Sequence, residues 1–276
     1  MQRNGFFILF IASLFLFSCR SSDLIQPGDT IDVAYEKAMS QYEEEDYGDA
    51  ARALETVISI GRGTDYGRDA QYYLAESYFK DRRYLLAASE YERFLQFHPN
   101  SPRREEVAFK EALSYYHLSP RFRLDQSYTE NAIEKFRLFL SRFPNSDRTD
   151  EAAQYIDELR SKLARENFNA ADFYMRTERY NAAAIYYDIV IDKYPDTQWA
   201  ERALVSQIEA YILYAENSIP ARQEERFELA LDSYDRYLQL FPEGDNRSEA
   251  EDLFDRAVEG LESVSDDSPV AESAQS

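Results

Sequence analysis

The sequence is short of the residues from which catalytic and metal sites are most often built. Its 276 residues include one cysteine, Cys19, and two histidines, His98 and His117. A single cysteine excludes a disulfide within the chain and any cysteine-based metal site, and neither histidine has a second histidine at ligand spacing. Only eight glycines are present, and they form no glycine-rich phosphate loop. We therefore expect no enzyme, no cofactor and no metal site.

The chain is also poor in positive charge. Its 31 lysines and arginines face 52 aspartates and glutamates, which gives a formal net charge of −21 at pH 7. Nucleic acid and anionic lipid surfaces would be repelled, whereas basic partner surfaces would be attracted. The acidic run 43–46 lacks the alternating ligand spacing of a calcium loop and is typical of a solvated helix end. The composition therefore predicts no nucleic-acid partner.

Aromatic residues, in contrast, are abundant, with 22 tyrosines and 18 phenylalanines. Residues 68–101 fit the thirty-four positions of a tetratricopeptide repeat. With Arg68 as position 1, small and bulky residues fall where two antiparallel helices interlock: Leu74, Ala75, Tyr78, Tyr84, Ala87, Tyr91 and Phe94, with Pro99 ending the unit. One such helix pair cannot bury its apolar stripe alone, so neighbouring pairs must stack on it.

The rest of the folded part of the chain repeats the pattern of this unit. We predict an all-α solenoid of five tetratricopeptide-like helix pairs with a C-terminal capping helix at about Arg247 to Ser263. Repeats one to three occupy 30–146, and repeats four and five with the capping helix occupy 147–263. No proline or glycine interrupts 147–193, which predicts an unusually long first helix in repeat four.

Two repeats carry insertions between their helices. In repeat three, Tyr115 and Ala132 are 17 positions apart, whereas the matching residues of repeat two, Tyr78 and Ala87, are 9 apart. The extra residues lie within LSPRFRLDQSYT, 118–129, and repeat five has a similar insertion around NSIPARQEER. Insertions of this kind are often where solenoids place binding function.

The ends of the chain predict an anchored protein. Arg3 and an apolar run from Phe6 to Phe17 precede Cys19, and the run is too short to span a bilayer. This pattern is typical of a lipoprotein signal peptide, 1–18, with lipid attached to Cys19 and a polar tether, 19–29. The alternative is an ordinary signal peptide with a chance cysteine. Residues 264–276 have few apolar side chains and are predicted to be a disordered tail.

The first helices of repeats one to three predict a peptide-binding groove. Positions 5 and 12 of each repeat lie two turns apart on the first helix, and in repeats one to three they are all aromatic. The six residues are Tyr35, Tyr42, Tyr72, Phe79, Phe109 and Tyr116. Exposed in a groove, these rings would suit an extended or short helical peptide with aromatic and apolar side chains. The alternative is that the same rings are covered and belong to the core.

Three stretches carry a resemblance to a known family. They are ERFLQFHPNS (92–101), RLDQSYTENAI (123–133) and ELRSKLARENFNAADFYMRTERYNAAAIYYDIVIDKYPDT (158–197), together with the lipoprotein signal. With these the chain resembles the BamD family of outer-membrane β-barrel assembly lipoproteins. The resemblance implies that the N-terminal repeats bind targeting segments of unfolded outer-membrane proteins. It also implies that the C-terminal repeats dock on the periplasmic domains of BamA, within a complex of other assembly-machinery subunits.

The family pattern also places a basic docking residue shortly after YPDT. Strict alignment reaches Glu201, so its neighbour Arg202 is the candidate. The leading hypothesis is thus a non-enzymatic assembly scaffold on the periplasmic face of the outer membrane. The alternative is another lipid-anchored periplasmic adaptor, acting in envelope division or cell-wall synthesis. A hydrolase is disfavoured because no acid–base pair stands apart from the repeat pattern.

Overall fold

The computed structural model describes residues 24–266, which form eleven α-helices and no strand. The helices are α1 (Ile31–Glu43), α2 (Tyr47–Ile60), α3 (Asp65–Lys80), α4 (Tyr84–Phe97), α5 (Arg104–Leu118), α6 (Ser127–Arg142), α7 (Thr149–Arg176), α8 (Tyr180–Lys193), α9 (Gln198–Glu216), α10 (Pro220–Leu240) and α11 (Arg247–Asp266). Helices α1 to α10 make the five expected pairs and α11 follows them. The all-α class predicted from the repeat pattern is confirmed.

The helices of each pair approach closely because small residues line their contacts. Ala38 and Ala50 in repeat one, and Ala75 and Ala87 in repeat two, are completely buried. Without bulky side chains between them, the two helix backbones can come together and the surrounding aromatic rings fill the remaining space.

In three of the five pairs, the two helices are joined by the same kind of turn. Glu45, Arg82 and Glu178 each adopt a positive φ, of 64°, 60° and 60°. Counting repeat one from Ile31 and repeat four from Ala164, as repeat two is counted from Arg68, all three stand at position 15. The residue after each donates its backbone N–H to a carbonyl five residues back, as in Arg83 N to Tyr78 O at 2.8 Å. This is the Schellman arrangement that ends many helices, with a left-handed residue in the turn. The insertions of repeats three and five fall at this same point.

The chain divides into two compact units between His98 and Pro99. The first contains α1 to α4 and the second contains α5 to α11. This division by contacts differs from the grouping by repeats, 30–146 and 147–263, which counts helix pairs. In the first unit, Tyr91 and Phe94 of α4 are buried against α3, and α1 also contacts α3.

The second unit holds the long helix that the sequence predicts. Helix α7 runs for 28 residues from Thr149 to Arg176 without a break. Its second half packs with α8, α9 and α10 in a core that includes Phe168, Tyr187 and Tyr237. Ala250 and Ala257 of α11 are fully buried in the same core, so α11 covers the last pair as the expected capping helix.

The ends of the chain are only partly described. Helix α11 continues past Ser263 to Asp266, so the tail expected from 264 begins as helix. The rest of that tail, the signal peptide 1–18 and Cys19 lie outside the described residues. Between residues 24 and 266, every helix is too short or too polar to cross a bilayer.

Candidate functional site

The predicted groove residues of the first unit differ in their burial. Tyr72 is only 8% exposed, and its ring packs edge-on against Tyr73 at 5.2 Å and Phe94 at 6.2 Å between centroids. A ring enclosed in this way fills the space between α3 and α4. Its burial supports the core alternative for Tyr72 and removes it as a surface for a peptide.

The other three rings of this unit are half-buried. Tyr35 packs on Tyr66 at 5.3 Å, Tyr42 on Tyr73 at 5.1 Å, and Phe79 on Tyr84 at 5.4 Å. The contacts are tilted or edge-on, the geometries that aromatic pairs prefer. Each ring is therefore held in place by a neighbour and still presents part of its surface. We call Tyr35, Tyr42 and Phe79 the aromatic strip.

The two predicted groove residues of the second unit differ in the same way. Phe109 is 1% exposed and packs on Phe136 and Phe139 at 5.7 and 5.4 Å, so it is core. Tyr116 is half-buried and its hydroxyl donates to Glu158 Oε2 at 2.8 Å. Burial, followed by this contact with a carboxylate, raises the pKa of Tyr116 to about 12. Its hydroxyl is therefore already used within the fold.

The candidate docking residue Arg202 is exposed, and its guanidinium lies beside two aromatic rings. Its guanidinium lies 5.2 Å from the ring centre of Phe168 and 5.3 Å from that of Trp199, distances at which a cation is attracted to a ring face. Arg165 approaches the same Trp199 ring at 5.8 Å. The indole therefore has two arginines beside it.

Glu201, on which strict alignment places the docking residue, is used inside the fold. Its Oε1 accepts from the hydroxyl of Tyr237 at 3.0 Å and from the backbone N–H of Asn246 at 2.8 Å. These two bonds tie α9 to α10 and to the turn between α10 and α11. Of the two neighbouring residues, Arg202 alone offers an exposed charge.

Comparison with known proteins places the chain in a family. The model of a family described as YfiO, outer membrane lipoprotein, matches residues 27–227. The chain belongs to this family. Similar curated proteins carry the name outer membrane protein assembly factor BamD. The resemblance to the BamD family that the sequence motifs carried is thereby confirmed.

The relatives have low sequence identity to this chain, but the alignments cover most of its length. The Vibrio cholerae protein is 27% identical over 212 residues, which is 73% of this chain and 88% of the relative. The Rickettsia prowazekii protein is 25% identical over 209 residues, covering 74% of this chain and 82% of the relative. Among solved structures, a tetratricopeptide repeat protein from Bacteroides fragilis is 13% identical, with a TM-score of 0.46 over 83% of this chain and 98% of its own. Membership in this family, whose curated relatives are named as assembly factors, indicates a non-enzymatic scaffold.

The structure also contains a cavity that the sequence did not predict. It has a volume of about 600 Å³ and lies between α2, α3 and α4, lined by Ile58, Arg62, Gly63, Gly67, Arg68, Gln71, Arg93, Phe97 and His98. His98 bonds to Gln71 at 3.2 Å, and burial followed by the charge of Arg68 lowers the pKa of its imidazole. The lining residues come from the ends of three helices, so no single periodic pattern could have indicated them.

Proposed function

We propose that this family member is a lipid-anchored subunit of the outer-membrane β-barrel assembly machinery, working as a scaffold on the periplasmic face. The observation that carries the proposal is the family match over 27–227, together with relatives named as outer membrane protein assembly factors. The anchor would be the lipid on Cys19. In this role the chain receives unfolded barrel proteins and passes them to a membrane partner.

The aromatic strip is the proposed binding surface for precursors. Tyr35, Tyr42 and Phe79 present part of their rings while neighbouring aromatics hold them in place. Rings that are already ordered lose little conformational freedom on binding, and they suit the aromatic and apolar residues of a targeting segment. Tyr72 and Phe109 are buried core residues of their own units, so we assign neither of them a contact with the peptide.

The strip can be tested with a synthetic peptide copied from the C-terminal segment of an outer-membrane barrel protein. We expect Phe79→Ala to weaken peptide binding by about tenfold, which corresponds to about 1.4 kcal/mol for a half-buried aromatic contact. Phe173→Ala serves as the control, because Phe173 is an exposed aromatic in the other unit. Equal affinities for the two variants, measured by fluorescence anisotropy, would refute this role for the strip.

Arg202 is the proposed contact for the periplasmic domains of BamA. Its exposed guanidinium is stacked on Trp199 and Phe168, which fixes its direction without using its N–H donors. A carboxylate on the partner could then accept two parallel bonds from it. Glu201 supports this choice, since its carboxylate is occupied by Tyr237 and Asn246.

A pull-down from the native envelope in mild detergent, read by mass spectrometry, decides the role as a whole. Recovery of a large barrel protein with periplasmic repeat domains is the expected result. Recovery of division or wall-synthesis proteins without it would favour the alternative adaptor.

The lipid anchor is tested in the same preparation. Cys19→Ser should leave the protein folded and release it from the membrane. Retention of that variant in the membrane would show that lipid on Cys19 is not the anchor.

A further inference from the structure

The insertion of repeat three forms an ordered loop, 119–126, between α5 and α6. Gln126 organises it from inside: its amide donates to the carbonyls of Arg121 at 3.0 Å and Leu124 at 2.7 Å. The other end of the same side chain accepts from Thr129 Oγ1 at 2.7 Å. Because Gln126 is buried, these bonds are shielded from water, and they hold the loop in one conformation.

The loop is also fastened to α7. Lys162 Nζ donates to Ser119 Oγ at 2.7 Å, and the guanidinium of Arg165 lies 4.2 Å from the ring centre of Phe122. Arg123 approaches the same ring at 5.4 Å. Phe122 therefore has two cations beside it, one from the loop and one from the long helix.

These contacts continue to the proposed docking residue. Arg165 lies between Phe122 and Trp199, and Arg202 lies over Trp199 and Phe168. We call Arg123, Phe122, Arg165, Trp199 and Arg202 the arginine ladder. It joins the insertion loop, α7 and α9 into one continuous row in which cations alternate with rings.

The charges of the arginine ladder are the reason to expect a partner. Arg123, Arg165 and Arg202 are all exposed, and within residues 24–266 none of the three pairs with a carboxylate. Other arginines of the same unit do pair, such as Arg160 with Asp196 and Arg256 with Glu216. In a chain with a net charge of −21, such a row is a local site of opposite sign.

A cavity of about 420 Å³ adjoins the ladder. It is lined by Phe122, Arg123, Glu166, Asn169, Ala170 and Arg176. Glu166 is the one acid in the lining; burial, followed by Glu130 and Asp125, raises the pKa of its carboxyl. With Arg123 and Arg176 against this one acid, the lining carries a net positive charge and is favourable to an anionic side chain.

We propose that the insertion loop extends the docking surface of Arg202, so that acidic side chains on the periplasmic domains of the barrel partner pair with Arg123, Arg165 and Arg202 together. This inference rests on the proposed docking function and adds the loop and the acidic character of the partner surface to it. Stacked guanidiniums suit the role because their faces rest on rings while their edges present N–H donors in a fixed fork.

Binding of the purified periplasmic domains of BamA to the full mature chain tests the inference by calorimetry. We expect Arg202→Glu and Arg123→Glu each to weaken binding by about tenfold or more. Arg142→Glu is the matched control: Arg142 is exposed on α6 of the same unit, and we expect a change of less than about twofold. Phe122→Ala, which keeps every charge, should weaken binding as well because Arg123 and Arg165 lose their support.

The outcomes separate the two proposals. If Arg202→Glu weakens binding while Arg123→Glu and Phe122→Ala behave like the control, the loop has no docking role and the inference fails while the proposed function stands. If the wild-type chain does not bind at all, both are overturned. Salt provides a second readout: the fall of affinity with ionic strength should be shallower for Arg123→Glu than for the control.

Discussion

The hydroxyl of Tyr91 donates to a carboxylate oxygen of Glu76 inside the first unit, and its removal tests how the repeat is stabilised. Tyr91 is completely buried and Glu76 is 4% exposed. Tyr91→Phe keeps the ring and deletes only the donor. A hydrogen bond to a charged group contributes about 1.5–3 kcal/mol, and a buried acceptor that loses one is left poorly solvated. We therefore expect the free energy of unfolding of this unit to fall by about 2 kcal/mol.

The equivalent tyrosine of repeat four, Tyr187, makes the same kind of bond to a less buried acid and so allows a comparison. The hydroxyl of Tyr187 donates to Asp172 Oδ1 at 2.7 Å, but Asp172 is only half-buried and water can replace part of the lost bond. Tyr187→Phe should therefore cost about 1 kcal/mol. Tyr66→Phe is the control, since the ring of Tyr66 is exposed, and we expect less than about 0.5 kcal/mol.

Alkaline pH gives an independent measure of the same contact. Burial, followed by the charge of Glu76, raises the pKa of Tyr91 above its usual value near 10. The folded state therefore keeps this proton when the unfolded chain loses it. The stabilisation is complete below about pH 10 and declines as the pH rises further, by about 1.4 kcal/mol per pH unit for this group. The pKa of Tyr78, raised to about 12, adds to the decline in the same direction.

The assay is urea unfolding at pH 8, 10 and 11, with hydrogen exchange of α3 and α4 amides to report on the first unit alone. Tyr91→Phe should be less stable than wild type at pH 8 and should lose stability less steeply above pH 10. A variant with wild-type stability and an unchanged alkaline slope would show that the hydroxyl contributes nothing, and the reasoning would be refuted.

Other consequences of the fold can be checked by thermal unfolding and proteolysis. Gly67→Ala should destabilise by about 1–3 kcal/mol because its Cβ would overlap the carbonyl of Gly61, whereas Gly48→Ala meets no neighbouring atom within 4 Å and should be neutral or stabilising. Arg82→Gly should stabilise by up to about 1 kcal/mol, since glycine adopts the positive φ at that turn without strain. Gln126→Ala should speed tryptic cleavage within the insertion loop; unchanged digestion would show that the loop does not depend on this side chain.

The repeat pattern predicted the helices well because it is a local signal. Small and bulky residues at fixed positions indicate where two helices meet, and the absence of proline and glycine from 147–193 indicated the long helix α7. The placement of the insertions also followed from spacing alone. Each of these features depends on residues close together in the chain, which is the information that a sequence carries directly.

Burial could not be predicted in the same way. Periodicity places Tyr72 and Phe79 on the same face of α3, but it does not say which of them the neighbouring helix covers. Tyr72 is enclosed by Tyr73 and Phe94, whereas Phe79 lies nearer the end of the helix and stays half-buried. Glu201 and Arg202 differ for a similar reason, because the hydrogen bonds to Glu201 come from residues more than thirty positions away.

The uninterrupted repeats and repeat three are ordered by different contacts. Repeats two and four keep thirty-four positions, a left-handed turn residue and a buried tyrosine that donates to an acid, as in Tyr91 with Glu76. Repeat three has Phe136 in place of that tyrosine and an insertion in place of the turn. A long loop without the turn residue would be mobile unless something else ordered it.

Side chains of the insertion and of α7 supply that order. Gln126 bonds to two carbonyls of the loop, and Lys162 fastens it to α7, so that Phe122 and Arg123 are presented in fixed positions. A surface held in this way binds a partner at a lower entropic cost than a mobile loop would. In the docking role proposed for it, the insertion would therefore contribute specificity for an acidic partner without first having to be ordered by that partner.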